Sequence, residues 1–171
     1  MGVLTHIMVR GALVSMGLMG CSPYYTTEKQ GRAVQTLQGT YLSAKGGEIP
    51  LDDGQARPTL IQFASDTCMV CAQEVAAFKS YLKSKPAPSR VRLISVLVGA
   101  FAEDAIAWSQ RLQVGWEVGI DPDLVLFKKY CREDSVPCMV VHRPAEGIVL
   151  SHQGAMSIDE ILAYTGPWGD N

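Results

Sequence analysis

The stretch Thr59–Glu74 constrains the fold most, because a buried strand ends within it and a Cys-x-x-Cys pair then opens a helix. The run Leu60–Phe63 is mostly apolar, as expected of a buried strand, and polar residues follow it. From Ala72 to Lys85, apolar residues recur at the spacing of one helix face. Cys68 and Cys71 are therefore predicted to lie at a helix N-terminus.

A helix N-terminus suits thiol chemistry. Unpaired backbone N–H groups and the positive end of the helix dipole favour the thiolate form of Cys68, which lies nearer the end and is expected to be exposed. Cys71, one turn further on, would be the shielded partner. This spacing lets Cys68 attack a substrate disulfide and Cys71 resolve the mixed disulfide. Zinc sites use the same spacing, and the position after a buried strand is what favours redox chemistry.

Composition limits the classes of protein to consider. The 171 residues are 47% hydrophobic and 19% charged, which is enough for one globular domain with a substantial core. A net charge of −2 at pH 7 and the scatter of the basic residues give no reason to expect a nucleic-acid partner.

Strand and helix patterns alternate along the chain. The continuous apolar run Val91–Val98 is expected to be a strand buried on both faces. The order of the elements predicts an α/β fold, with a mixed central β-sheet flanked by helices. The other predicted strands are 36–42, Glu48–Leu51, Trp116–Ile120, Met139–Val141 and Ile148–Leu150, and the other helices are Glu103–Leu112, Leu124–Tyr130 and Ile158–Tyr164.

The first twenty residues have the pattern of an export signal. A weakly basic start precedes the apolar stretch Gly11–Met19, which is too short to span a bilayer, and Met8 is an alternative start. The Leu-Met-Gly-Cys sequence ending at Cys21 resembles the lipobox of bacterial lipoproteins, which implies cleavage before Cys21 and lipidation of its sulfur. Ser22, the residue after this cysteine, resembles that of lipoproteins directed to the outer membrane. The alternative is an ordinary secretory signal with an incidental cysteine. We expect a signal peptide over 1–20, a tether over 21–33 and one folded domain over 34–171.

Three further stretches together resemble thioredoxin-fold proteins, and within that fold the membrane-tethered periplasmic oxidoreductases of the TlpA and ResA type. The stretches are Gly47–Leu51, Phe63–Cys71 and Ser135–Pro137. The resemblance runs from about Leu37 to Tyr164. It implies a thioredoxin-like fold in which the Val136–Pro137 peptide bond is cis, faces the dithiol and offers backbone hydrogen bonds to a bound peptide.

Around the cysteines, one residue matches ResA-like proteins and several others depart from the family pattern. Glu74, three residues after Cys71, matches a Glu of ResA-like proteins that assists proton transfer, and we expect it to be the acid/base partner. The alternative is a solvated Glu on the helix face. The departures are Thr67 for a Trp, Met69-Val70 for a Gly-Pro or His-containing pair, Ala76 for a Pro, and Gln62 for the buried acid of cytosolic thioredoxins.

The remaining cysteines fit an oxidising compartment. Of the five cysteines, lipidation of Cys21 would leave four, which is two pairs. Cys131 and Cys138 bracket Pro137, and a structural disulfide between them would hold that loop. The alternatives are two buried thiols, or a relay from Cys138 to the Cys68 pair.

The histidines and tryptophans are assigned structural positions. His142 falls near a strand end and His152 beyond the next turn, neither at ligand spacing to the cysteines, so both are expected at the surface. The tryptophans are expected in the core and at its rim. They are Trp108, Trp116 and Trp168.

These features predict a membrane-anchored thiol:disulfide oxidoreductase. It would exchange a Cys68–Cys71 disulfide with cysteines of exported proteins in the periplasm, held by a lipid anchor in the outer rather than the inner membrane. Its partners would be cysteine-containing exported proteins and a dithiol electron donor or acceptor, with the redox direction open. No cofactor and no metal are expected.

Three other functions are compatible with parts of the pattern. A copper chaperone would use Cys68, Cys71 and His142 as soft ligands, although the Sco-type proteins it resembles place three residues between their cysteines. Ser65, three residues before Cys68, favours a peroxiredoxin-like peroxidase, but the chain lacks the proline that such sites place further upstream. A redox-inert binding module is the last, and the intact Cys-x-x-Cys argues against it.

Overall fold

A computed structural model of the chain describes residues 35–84 and 90–167. The predicted signal peptide and tether, the lipidation site Cys21 and Trp168 lie outside the described residues. Within the described ranges, no helix is both long enough and apolar enough to cross a membrane.

The described residues form seven strands and four helices. Their order follows the predicted alternation, with bounds that differ by a few residues. The strands are β1 Thr40–Ser43, β2 Glu48–Pro50, β3 Thr59–Ala64, β4 Arg92–Val98, β5 Glu117–Asp121, β6 Cys138–Arg143 and β7 Gly147–Gln153, and the helices are α1 Met69–Lys83, α2 Ala102–Leu112, α3 Val125–Tyr130 and α4 Ile158–Thr165.

All seven strands belong to one mixed sheet in the order β2-β1-β5-β4-β3-β6-β7. The central strands β3, β4 and β5 are parallel, whereas β6 runs antiparallel to β3 and β1 antiparallel to β5. This confirms the predicted mixed sheet. The carboxyl ends of the three parallel strands therefore meet at one edge, which we call the carboxyl edge, and their amino ends meet at the opposite, amino edge.

The core lies on both faces of the sheet. Side chains of β3 alternate between the faces: Ile61 and Phe63 pack with α3, whereas Leu60 and Ala64 pack on the side of α1. Helices α1, α2 and α4 contribute to the second face. Six of the seven residues of β4 are buried, as its apolar run predicts.

The surface positions predicted for His142 and His152 are wrong. His142 is only 4% exposed and His152 only 7%. The reason is strand length: β6 extends to Arg143 and β7 to Gln153, so both histidines lie inside strands rather than beyond them. Burial lowers the pKa of His142.

Candidate active site

The two cysteines of the Cys-x-x-Cys pair lie at the carboxyl edge, where β3 gives way to α1. They form a disulfide with an S–S distance of 2.05 Å. Cys68 caps the helix, its Sγ accepting a hydrogen bond from the Cys71 N–H at 3.1 Å. Helix α1 therefore begins at Met69, directly after Cys68, and the cysteines lie at a helix N-terminus as predicted. Cys71 is fully buried and Cys68 is half-buried, so a partner reaches the first sulfur and not the second.

The loop before β6 lies beside this disulfide. Because β6 runs antiparallel to β3 and Cys138 pairs with Phe63, the start of β6 meets the end of β3. The Val136–Pro137 peptide bond is cis. Val136 is half-buried and packs, like Cys68, against the core cluster that contains Cys71. The strand pairing therefore brings the cis peptide to the cysteines.

A second disulfide, between Cys131 and Cys138, holds the same loop, with an S–S distance of 2.06 Å. It joins the end of α3 to the start of β6. From the other side, the Gly154 N–H donates to the Pro137 carbonyl at 2.8 Å, and the Gln153 side chain donates to the Glu133 carbonyl at 3.2 Å. The loop is thus connected to both α3 and β7.

The two disulfides belong to different parts of the core. Cys131 and Cys138 pack with Phe63 on the α3 face, whereas Cys71 packs with α1 and α2 residues on the other face. Whether the second pair has a structural role or relays electrons to Cys68 stays a prediction.

Glu74 is buried rather than solvated, so the solvated-face alternative is wrong. Its residue is 5% exposed. One carboxylate oxygen accepts the Gln62 amide N–H at 2.8 Å, and the other accepts the Met156 backbone N–H at 3.1 Å. Burial raises the pKa of Glu74 to about 7, against the lowering effect of these two hydrogen bonds. The carboxyl group can therefore gain or lose a proton near neutral pH.

Gln62 and Ser95 form the hydrogen-bonded surroundings of Glu74, and the sequence analysis did not include either among its candidate site residues. The Gln62 amide also donates to the Cys71 carbonyl at 3.2 Å, and its oxygen accepts from the Ser95 hydroxyl at 3.1 Å. The signal was present in the sequence: Leu-Ile-Gln-Phe in β3 and Leu-Ile-Ser-Val in β4 each carry one polar residue in an apolar strand. The parallel register places these two polar residues side by side.

Comparison with solved structures identifies this architecture. The chain is similar to a secreted Mycobacterium tuberculosis disulfide oxidoreductase homologous to E. coli DsbE, at 19% identity over 75% of this chain and 95% of that chain, with a TM-score of 0.62. It is similar to StoA from Bacillus subtilis, at 16% identity over 78% of this chain and 99% of that chain, with a TM-score of 0.61. The thioredoxin domain of a thiol-disulfide oxidoreductase from Bacteroides vulgatus shares 19% identity over 79% of this chain and 99% of that domain, with a TM-score of 0.60.

The chain has a thioredoxin-like fold. No protein-family model matches the sequence, and no curated protein sequence matches it. At these identities the likeness establishes the fold, so the chemistry has to be argued from the site itself.

Exposed apolar side chains lie along the carboxyl edge of this thioredoxin-like fold. Met69 is 77% exposed beside Cys68, Phe101 is 66% exposed after β4, and Val125 is 64% exposed after β5. Phe101 lies between Ala100 and Ala102, which pack in the same core cluster as Cys68. Single exposed apolar side chains are common at protein surfaces, and these three are distinguished by their position at the edge that holds the disulfide.

The ligand set of the copper-chaperone alternative is not assembled in the thioredoxin-like fold. His142 pairs with Thr59 at the start of β3, whereas Cys68 follows the end of that strand. Among residues 35–84 and 90–167, no group of three or more His, Cys, Asp or Glu side chains is arranged to hold a metal ion.

Proposed function

We propose that the chain is a thiol:disulfide oxidoreductase that exchanges its Cys68–Cys71 couple with cysteines of exported proteins. One observation carries this proposal: a partly exposed cysteine at a helix N-terminus is bonded to a fully buried one beside a cis peptide bond. Two-step exchange needs one sulfur within reach of the partner and a protected one that closes the reaction.

In the reducing direction, the Cys68 thiolate attacks one sulfur of a substrate disulfide and releases the other as a thiolate. The Cys71 thiol then gives its proton to Glu74, and its thiolate attacks the Cys68 sulfur. This step re-forms the Cys68–Cys71 disulfide and releases the second substrate sulfur, which takes a proton. The substrate gains two electrons and the couple loses two. Oxidation of a substrate dithiol is the reverse reaction.

The position of Glu74 supports its part as acid and base. It lies three residues after Cys71 on α1, and side chains at this spacing are neighbours on a helix. Both residues are buried, so no bulk water competes for the proton. A group with a pKa of about 7 can accept and return a proton at neutral pH.

Val136 and Pro137 would form the peptide-binding part of the site. A substrate chain reaching the half-exposed Cys68 must lie along the cis-peptide loop, where the backbone of Val136 is available for hydrogen bonds. The exposed Met69 and Phe101 would contact apolar residues that flank the substrate cysteine. The partners would therefore be exported proteins with accessible cysteines, together with a dithiol protein that donates or accepts electrons.

We propose a lipid anchor on Cys21 and a periplasmic location, in the outer rather than the inner membrane. The lipobox-like sequence supports the anchor, and an oxidising compartment would preserve the Cys131–Cys138 disulfide. Two or three acyl chains would give stable attachment. After cell fractionation, we expect the full chain in the outer-membrane fraction and the C21S variant, which can be neither lipidated nor cleaved before residue 21, to be absent from that fraction. Equal recovery of both proteins in the outer-membrane fraction would contradict the anchor.

The activity is tested by trapping the mixed disulfide. The full chain, reduced with dithiothreitol and then freed of it, is mixed with a disulfide-linked peptide. We expect the C71S variant to accumulate a covalent adduct through Cys68, the parent to release both peptide thiols, and C68S to do neither. The C131S/C138S variant keeps the Cys68–Cys71 couple, controls for thiols of the second pair, and should still release both peptide thiols. A parent chain that never exchanges would contradict the proposed function.

The redox direction follows from the reduction potential of the Cys68–Cys71 couple. A potential near that of thioredoxin, about −270 mV, would indicate a reductant that needs a supply of electrons. A potential near that of DsbA, about −120 mV, would indicate an oxidant. Measuring the parent and the C131S/C138S variant separates this couple from the second disulfide.

A further inference from the structure

A directional chain of hydrogen bonds runs through the core to Glu74. The Trp116 indole N–H donates to the Ser95 hydroxyl oxygen at 3.0 Å, and that hydroxyl donates to the Gln62 amide oxygen at 3.1 Å. The Gln62 nitrogen then donates to Glu74 at 2.8 Å and to the Cys71 carbonyl at 3.2 Å. Gln62 and Ser95 are 1% and 0% exposed, so water does not replace these partners.

The chemistry of the donors fixes the direction of this chain. An indole N–H can only donate, so the Ser95 oxygen accepts from Trp116 and its single proton is left to bond Gln62. The Gln62 carbonyl oxygen must then face Ser95, and the NH₂ group must face Glu74 and Cys71. Reversal of the amide would leave its oxygen against a carboxylate and a carbonyl, with no proton between them.

We infer that Gln62, held in this orientation by Ser95 and Trp116, is a positioning residue for the proposed acid/base step, because it joins the Glu74 carboxylate to the helix turn that carries Cys71. This inference rests on the proposed function. Gln62 touches no reacting sulfur and passes no proton. It fixes where the carboxylate lies and stabilises its charged form, while burial acts in the opposite direction.

Besides Gln62, few groups near Glu74 can change the pKa of its carboxyl group. Met156 precedes α4 and offers a backbone N–H, and on α1 the neighbouring titratable residue is Cys71, held here in the disulfide. On the same face of the sheet, His152 of β7 lies across Met139 of β6 from Gln62, and Glu160 belongs to α4, which packs in the core cluster that contains Met139. A shift of the pH profile that arose from His152 or Glu160 would persist without Glu74. A variant that lacks the Glu74 charge therefore distinguishes such a shift from one that acts through Glu74.

The test measures the Glu74 carboxyl pKa directly, by ¹³C NMR of the oxidised full chain, and the pH profile of peptide-disulfide reduction. Loss of an N–H donor to a carboxylate should raise the pKa of Glu74 by about one in Q62L, and by less in S95A, where the amide is kept but can rotate. At about pH 6, the rate of Q62L should fall roughly tenfold, with recovery at higher pH. S95A changes one buried hydroxyl and provides the test if Q62L does not fold.

Two comparisons make the result specific. S151A removes a different side-chain hydrogen bond, from Ser151 to the Tyr130 carbonyl, and should leave the Glu74 pKa and the pH profile unchanged. In an E74Q background, Q62L and S95A should cause no further shift of the profile. A Glu74 pKa that is unchanged in Q62L and S95A, or a shift of the profile that persists in E74Q, would overturn the inference. A parent chain that fails to exchange at every pH would instead contradict the proposed function, while the NMR result still decides the positioning.

Discussion

Burial of the Glu74 carboxyl makes the stability of the fold depend on pH. Its pKa is raised from 4.5 to about 7, so between these values the folded chain binds a proton that the unfolded chain has lost. The stabilising effect is complete below about pH 4.5 and is lost as the pH rises through about 7. The full shift corresponds to about 3 kcal/mol in the free energy of unfolding.

We expect the E74Q variant to lack this dependence. Between about pH 5 and pH 8, urea unfolding should show the parent losing up to about 3 kcal/mol relative to E74Q. Carboxyl groups with lowered pKa values, those of Asp53, Glu117 and Glu160, titrate in both proteins and cancel in the difference. A difference that stays constant with pH would show that Glu74 does not titrate with a raised pKa.

How far single residues could be predicted depends on the pattern around them. Cys71, Val75 and Phe78 mark the buried face of α1, and Glu74 falls on that face at helical spacing. The sequence therefore held a signal for its burial. The partnership of Gln62 with Ser95 depends on the register of two strands that are distant in the chain, and periodicity within one segment does not contain that information.

At the scale of elements, the Cys131–Cys138 disulfide stabilises the loop that carries the cis peptide bond. It closes a loop with a sequence separation of 7, and the chain-entropy relation gives a loss of about 2 to 3 kcal/mol for C131S/C138S. The Cys68–Cys71 disulfide closes a loop with a separation of 3, so C68S/C71S should lose less, about 1.5 kcal/mol. Urea unfolding of both variants checks the order, and a larger loss for C68S/C71S would contradict this account.

The elements were predicted by type and missed in extent. The hairpin strands β6 and β7 are longer than their apolar runs, because Ser151, His152 and Gln153 continue β7 through backbone pairing with β6. Pairing continues beyond the apolar run wherever a neighbouring strand is present, and a single-sequence pattern contains only the apolar part. The misplaced histidines follow from this one cause.

At the scale of the whole molecule, the resemblance predicted the fold, whereas the position of β1 beside β5 follows only from tertiary pairing.

The sheet separates two regions. The carboxyl edge holds the Cys68–Cys71 disulfide and the cis peptide bond, and the amino edge holds an ion pair between a buried Arg92 and a partly exposed Glu117. There Arg92, 4% exposed, makes two bonds of 2.7 Å to the Glu117 carboxylate, which Tyr41 also bonds at 2.6 Å.

This separation predicts that stability and thiol chemistry can be changed independently. R92M removes the donors to Glu117 and to the carbonyls of Pro50 and Leu51, and should lower the free energy of unfolding by about 2 to 3 kcal/mol. R143M breaks the exposed pair with Glu146 and should cost less than about 1 kcal/mol. Because Arg92 lies at the edge opposite the disulfide, both variants should keep the parent's reduction potential and rate of peptide-disulfide reduction at 25 °C. A changed potential in R92M alone would show that the two edges are coupled through the sheet.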